Sequence, residues 1–248
     1  MAAENVSRKA PRWGLRPRIS EPDQPFATVL VGKEEKKFVL HEKLLVHYSG
    51  FFRAALTGKF KEAEEKVARL LDDDADVFEM FVHWLYHGDF PDRARADDAG
   101  LLEILEDRDS SLADPDWLVL LYLFGQQDMV DQLQNETLNA LFDLIQNNEN
   151  ARLPSPTVID QAWEQLPDTS PMKHLLVEMF CQWGDAMTCA ISNGKFIRSI
   201  WLRFGELHSA GGIAIRKHHT INICDFHDHK TRKDRKACKS AISGDSGR

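Results

Sequence analysis

The chain has 248 residues, a formal net charge of −8, 43% hydrophobic residues and 28% charged residues. These values are typical of a globular protein that can bury a sizeable core. The longest apolar run, Trp117–Phe124, is far too short to cross a bilayer, and no apolar stretch follows the basic N-terminus, so we expect neither a membrane span nor a secretory signal. Four cysteines, all beyond residue 180, favour a reducing compartment, so we expect an intracellular protein, cytoplasmic or nuclear.

The charge is unevenly distributed along the chain. Residues 1–20 and 216–239 are basic, whereas the long segment between them is strongly acidic. An acidic body does not attract nucleic acid by itself, so we do not expect the body to bind nucleic acid. The basic ends are expected to be solvated tails, and the alternative is that the C-terminal one touches DNA.

The N-terminal part predicts a disordered arm followed by a hairpin. Residues 1–25 hold several prolines and mixed charge without a hydrophobic period, as disordered segments do. The β-rich stretch Ala27–Val31 and the short stretch Phe38–Leu40 then predict two paired strands. The polar run Lys33–Lys37 between them predicts a charged hairpin tip.

The next segments predict short helices, a third strand and a well-capped helix. Apolar residues at helical spacing predict helices within 41–49 and 51–56. Val67–Leu71 predicts a short strand, and the acidic triplet Asp72–Asp74 supplies a cap for the helix that follows. That helix carries a broad apolar stripe ending near Leu85, which is typical of deep packing.

The middle of the chain predicts an acidic loop followed by two helices. Residues 92–116 are expected to be largely an exposed loop, with one helical turn or a short edge strand at 101–105. Residues 117–124 are apolar nearly all round, as in a buried helix, and Gly125 is expected to break it. Residues 130–145 then predict an amphipathic helix.

Two further helices begin near Ser155 and at Ser170-Pro171, where Ser and Pro are typical of helix starts. They predict a helical extension over 154–184. The remainder, 185–248, is expected to be a weakly determined basic segment with one apolar helical candidate, Phe196–Phe204.

Several short motifs, in this order, resemble the BTB/POZ domain. They are Ala27–Gly32, Phe38–His41, Ser49 with Phe52, Val77–Tyr86 and Trp117–Val130. The resemblance covers residues 26–150 and is closest to fungal BTB proteins through Phe81–Tyr86, which reads F-V-H-W-L-Y. It implies an α+β fold with a small three-stranded sheet flanked by a cluster of helices.

The resemblance also assigns residues to roles. The residues that define the fold in the family are His41, Leu45, Ser49, Phe52, Phe78, Trp84 and Tyr86. The residues expected to contact a partner are Phe90, Leu101, Leu102 and Met129.

The implied function is protein–protein interaction rather than catalysis. BTB proteins often form homodimers or act as adaptors that bind a cullin scaffold of a ubiquitin ligase, so both roles are expected here. If a cullin binds, the contact should involve the Val77–Tyr86 helix, the acidic loop and the helix over 128–146. Pro25 stands where many family members carry an Asp near the dimer contact. The alternative function is a nucleic-acid-associated transcriptional regulator that uses the basic C-terminal tail.

No enzyme is predicted, because the chain shows neither a phosphate-binding glycine loop nor a nucleophile elbow. His41 has no nucleophile or carboxylate at a recognisable spacing, so it is expected to be a structural polar residue. His83 and His87 lie four residues apart and are expected to be a surface pair rather than metal ligands.

One candidate metal site stands near the C-terminus. Cys224, His227, His229 and Cys238 form the pattern C-x2-H-x-H-x8-C, which supplies four ligands that zinc accepts. Several fungal BTB proteins resemble this chain in that segment. The alternative is a histidine-rich basic tail with an unpaired thiol, since the spacing matches no common zinc finger. Apart from this structural zinc, no cofactor is expected.

Overall fold

The structure is a computed structural model that describes residues 16–91, 95–106, 115–147, 152–183, 191–209, 222–227, 229, 231, 235, 236 and 238. It has the predicted α+β architecture, with a three-stranded sheet covered by helices. None of the helices in this part of the chain combines the length and apolar character that a bilayer crossing requires.

The strands are β1 (Phe26–Val31), β2 (Lys36–His41) and β3 (Val67–Leu70), in the order β2-β1-β3. The β1–β2 pair is the predicted antiparallel hairpin, and Gly32 takes a positive φ of 73° where the tip turns. β3 runs parallel to β1. Alternate residues of β1 are buried, so one face of the sheet packs on helices and the other faces outward.

Four helices surround this sheet. They are α1 (Glu42–Tyr48), α2 (Gly50–Thr57), α3 (Lys61–Glu65) and α4 (Ala75–His87). The predicted acidic cap is confirmed, since the Asp74 carboxylate accepts hydrogen bonds from the backbone N–H groups of Asp76 and Val77. Gly88 ends α4 in the left-handed region, with φ 77°, a conformation that glycine adopts at little cost.

Residues 16–25 contact the domain, although they were predicted as part of a disordered arm. The Arg16 guanidinium donates hydrogen bonds to the carbonyl oxygens of Leu85 and Tyr86 at the end of α4. Glu21 pairs with Lys43 at 2.7 Å. These polar contacts hold the segment without an apolar period, which explains why its sequence gives no structural signal. Residues 1–15 lie outside the described residues.

Three helices follow: α5 (Ala99–Glu106), α6 (Pro115–Gln127) and α7 (Asp131–Asn147). The 101–105 stretch is therefore helical rather than an edge strand. The prediction that Gly125 breaks the helix is wrong, because α6 continues to Gln127. A Cβ at Gly125 would lie 3.1 Å from Cγ of Gln134, so the glycine serves close packing of α6 against α7.

The last helices are α8 (Pro156–Gln165), α9 (Pro171–Trp183) and α10 (Gly194–Ser209). α10 lies in the segment predicted to be weakly determined, and the Phe196 ring at its start packs 4.5 Å from Trp163 and 5.0 Å from Phe180. The Asn193 side chain accepts hydrogen bonds from the first N–H groups of this helix.

Two buried clusters organise the molecule. The sheet core is formed by β1–β3, α1, α2 and α4, and its largest fully buried side chains include Phe52, Phe78, Phe81 and Trp84. The helical core is formed mainly by α7–α10 and includes Ile159, Leu176 and Phe196. Both cores use α6: the sheet core takes Trp117, Leu121 and Phe124, and the helical core takes Leu118, Val119, Tyr122 and Leu123. The predicted all-round apolar character of this helix follows from that double burial.

Candidate functional site

Ser49 connects the α1–α2 junction to the turn between α6 and α7. Its hydroxyl donates a hydrogen bond of 2.7 Å to the carbonyl oxygen of Asp128 and accepts one of 3.0 Å from the backbone N–H of Phe52. The side chain is fully buried, so both bonds are shielded from water. This residue therefore caps α2 and fixes Met129 beside the start of that helix.

His41 occupies a structural position. Its Nδ1 lies 2.8 Å from the Tyr86 hydroxyl, and the same hydroxyl accepts the His41 backbone N–H at 3.1 Å. The ring also packs 4.5 Å from Phe26. These contacts join the end of β2 to α4.

The other family-pattern residues are packing residues. Leu45, Phe52, Phe78 and Trp84 are all buried in the sheet core. The Trp84 indole N–H donates a hydrogen bond to the carboxylate of Glu136 on α7. Burial raises the pKa of Glu136, and the hydrogen bonds from Trp84 and Gln132 oppose that rise.

The four residues predicted to contact a partner separate into two groups. Leu102 is 7% exposed and belongs to the sheet core, so in this conformation it packs inside the domain instead of meeting a partner. Leu101 and Phe90 are half-buried against the same core. Met129 is 53% exposed, and of the four it is the residue that presents a large apolar surface.

Sequence reasoning missed a groove beside α2. It has a volume of about 260 Å³ and is lined by Phe51, Ala54, Ala55, Phe60, Glu62, Ala68 and Arg69. We call these residues the α2 groove. Met129 lies at the other end of α2, because the Gly50 N–H donates a 3.0 Å hydrogen bond to its carbonyl oxygen. Apolar surface therefore lies along α2 and beyond both of its ends.

Phe60 is the most exposed residue of the α2 groove that is large and apolar, with 62% of its surface accessible. It occupies the N-cap position of α3, where Ser, Thr, Asp or Asn would stabilise the helix and a phenyl ring makes no capping hydrogen bond. The sequence does carry one indication of this exposure. Phe60 stands between Gly58 and the charged run that begins at Lys61, outside any apolar helix or strand pattern that would bury it.

The four predicted metal ligands come together in space. Cys224 Sγ lies 3.2 Å from His229 Nε2, and His227 Nδ1 lies 3.1 Å from Cys238 Sγ. One ligand atom from each of Cys224, His229 and Cys238 lies within 4.8 Å of the others. Burial lowers the pKa of His227 to about 4, with His229 adding to the shift. Burial and the neighbouring Cys224 raise the pKa of the Cys238 thiol to about 12.

The surroundings of this Cys/His cluster are partly apolar. Ile223 is buried in the helical core and Phe226 packs against it. The Asn222 side chain accepts a hydrogen bond from the Cys224 N–H at 3.1 Å. Beside the cluster, Arg235 of the basic tail pairs with Asp225 at 2.7 Å, so the positive charge of Arg235 is partly neutralised.

Residues 20–107 match the family model of the BTB/POZ domain. The Kelch repeat and BTB domain-containing protein 4 of Mus musculus is 38% identical over 84 residues, which are 34% of this chain and 15% of that protein. The Homo sapiens protein of that name is 38% identical over 66 residues, which are 27% of this chain and 12% of that protein. The matched region is therefore a small part of these relatives.

These matches confirm the resemblance to the BTB/POZ domain and its α+β fold. The relatives are mammalian, so they give no support to the closer resemblance to fungal members. Residues 20–107 of this chain therefore match a BTB/POZ domain, which is a type of protein-interaction module.

Proposed function

We propose that this chain is an intracellular protein–protein interaction scaffold that binds a cullin of a ubiquitin ligase through the α2 groove. The observation that carries the proposal is the exposed Phe60 ring beside a groove on the BTB/POZ domain. Membership of the domain family supports protein binding in general. The cullin is the partner that the family resemblance implies.

The α2 groove has the composition of a binding site for a protein. Phe51 and Phe60 supply aromatic surface, and the small side chains of Ala54 and Ala55 leave room for a partner side chain to enter the groove. Aromatic anchors that become buried carry most of the binding free energy in protein interfaces. A large apolar side chain that remains exposed after folding gains the free energy of hydrophobic burial only when a partner covers it.

The rim of the groove carries charges of both signs. Glu62 and Arg69 both line it, and α3 contributes further acidic residues, of which Glu65 pairs with Lys61 at 3.1 Å. Exposed charges around an apolar centre change the association rate and select among partners more than they add affinity. The groove therefore combines an apolar anchor with a charged border.

Two of the three elements expected to contact a cullin differ in their access to the groove. The helix predicted over 128–146 begins next to it, since Met129 is hydrogen-bonded to Gly50 at the start of α2. The apolar stripe of α4, by contrast, is buried in the sheet core. We therefore place the contact along α2 and the start of α7.

The test is binding of the full chain to a cullin N-terminal fragment, measured by light scattering and calorimetry. Phe60→Ala is expected to weaken binding by at least about tenfold, as removal of an aromatic anchor does. Val39→Ala is the matched control, because Val39 is 55% exposed but lies on β2, away from the groove residues. The absence of a complex with the wild-type chain, or equal affinities for Phe60→Ala and wild type, would overturn the proposal.

A second candidate function, self-association, is favoured by the outward face of the sheet. Phe26 is 50% exposed and Val39 is 55% exposed, and β2 is an edge strand of the described sheet. Exposed apolar residues on an edge strand invite pairing with another chain. The mass of the full chain alone should then be that of a dimer, reduced to a monomer by Val39→Lys and unchanged by Phe60→Ala. A monomeric wild-type chain at high micromolar concentration would exclude this role.

A further inference from the structure

Within a fifteen-residue stretch, ligand atoms of Cys224, His229 and Cys238 lie within 4.8 Å of one another, and His227 Nδ1 lies beside Cys238. The sulfur–nitrogen separations are 3.2 Å for Cys224–His229 and 3.1 Å for His227–Cys238. Ligands around a tetrahedral zinc ion, with bonds of about 2.0–2.3 Å, lie roughly 3.3–3.8 Å apart. The observed separations are therefore close to those that a shared cation would impose.

Hydrogen bonding alone is a weak reason for this arrangement. A thiol is a poor donor, and burying two thiols with two imidazoles costs solvation that such bonds barely recover. Nε2 of His227 is buried and has no hydrogen-bond partner among the described residues. A cation between the ligand atoms would account for the convergence of Cys224, His229 and Cys238 and for the position of His227 beside Cys238, because thiolate and imidazole are the ligands that zinc prefers.

The C-terminal segment that carries the Cys/His cluster also needs a stabilising interaction that its few apolar residues cannot supply. Ile223 and Phe226 are its described contacts with the helical core, and much of the rest is charged. A short polar segment buries too little apolar surface to offset the entropy lost on ordering. Metal binding supplies that free energy directly in small domains and segments.

We propose that Cys224, His227, His229 and Cys238 bind one structural zinc ion that holds the C-terminal segment on the helical core. All four positions are taken by protein ligands, so the site has no open position for a substrate and is not catalytic. The proposal is independent of partner binding at the α2 groove.

The first test is the metal content of the full chain. The chain is purified without chelators or a histidine tag, and its zinc is measured by inductively coupled plasma mass spectrometry. We expect about one equivalent of zinc. Cys224→Ser and His229→Ala should each lower it below about a tenth of an equivalent, as loss of a ligand does. Cys181→Ala and His174→Ala are the matched controls, because both residues lie on α9 outside the cluster, and they should keep the full equivalent.

A second measurement does not depend on variants that fold. Replacement of zinc by Co²⁺ in the wild-type chain should give the absorption of a tetrahedral site with thiolate ligands, and zinc should protect Cys224 and Cys238 from alkylation. A wild-type chain with less than about a tenth of an equivalent of zinc would overturn the proposal. So would an intact mass that shows a disulfide between Cys224 and Cys238, or zinc that persists in both ligand variants.

Discussion

The sheet core and the helical core differ in the side chains that complete them. In the sheet core, aromatic rings of α4 and α6 are in direct contact, with Phe78 lying 5.6 Å from Phe81 and 5.8 Å from Phe124. In the helical core, Ile223 belongs to a short C-terminal turn that packs against α7.

The comparison teaches that the first region is closed by buried rings and capped helices, whereas the second adds a cluster of cysteines and histidines at its C-terminal end. The sheet core has buried caps such as Ser49 and fully buried aromatics. At the end of the helical core, apolar contacts give way to the Cys/His cluster. The predictions that follow are arranged from the largest expected effect to the smallest.

Phe78→Ala tests whether the sheet core carries global stability. The ring is fully buried among Phe38, Phe81 and Phe124, so its loss leaves a cavity and should lower the free energy of unfolding by about 3–5 kcal/mol. Denaturant unfolding measures the change. Phe60→Ala is the control and should stay within about 0.5 kcal/mol, because that ring is largely exposed. Equal losses in the two variants would contradict the assignment of Phe60 to the surface.

Phe196→Ala tests whether the helical core opens separately. The ring is fully buried against Trp163 and Phe180, and its removal should cost about 3 kcal/mol. Hydrogen exchange should then show lost protection in α9 and α10 and retained protection in β1–β3. Loss of protection in all of these elements together would show that the two cores unfold as one unit.

Asp128 predicts a pH dependence of stability in the α6–α7 turn. Burial, with Asp73 adding to the shift, raises the pKa of its carboxyl from the usual 3.8 to about 7. The folded state therefore binds the proton more tightly than the unfolded state. The contribution to stability is fully present below pH 3.8 and is lost as the pH rises through about 7.

The loss should amount to about 2–3 kcal/mol, after allowance for relaxation of the site. Asp128→Asn should flatten the dependence of the unfolding free energy between pH 4 and pH 8, whereas Asp168→Asn, at an exposed carboxylate, should leave it unchanged. A slope in Asp128→Asn equal to that of the wild-type chain would show that another group causes the dependence.

Ser49→Ala should have the smallest effect, about 1–2 kcal/mol, because it removes a helix cap and leaves the Asp128 carbonyl without its hydroxyl donor. Thermal unfolding measures this change. Ser199→Ala, which removes an exposed hydroxyl bonded to Lys195 on α10, should leave the melting temperature nearly unchanged. Similar shifts in the two variants would mean that Ser49 contributes little as a cap.

Much of the fold was predictable because local signals agreed with packing. The hairpin and the Asp74 cap follow from residues whose preferences are met within a few positions. Gly125 misled the prediction, because a glycine in a helix also serves close packing, which only the neighbouring helix reveals.

The site was predictable in part. The metal-ligand pattern was visible because its four residues lie close in the chain, and the structure brings them together. The burial of Leu102 and the exposure of Phe60 could not be predicted from the sequence, because apolarity does not tell which side of an element faces a core formed by distant residues.

The double use of α6 has a consequence for which changes in length the chain can accept. Leu121 and Tyr122 are adjacent, yet one belongs to the sheet core and the other to the helical core. A single inserted residue would rotate everything after it by about 100° around the helix axis. The α6 side chains beyond the insertion would then point away from the core in which they pack, so the sheet core and the helical core would both lose contacts. Substitutions of similar volume are therefore tolerable along α6, but a shift of its helical phase is not.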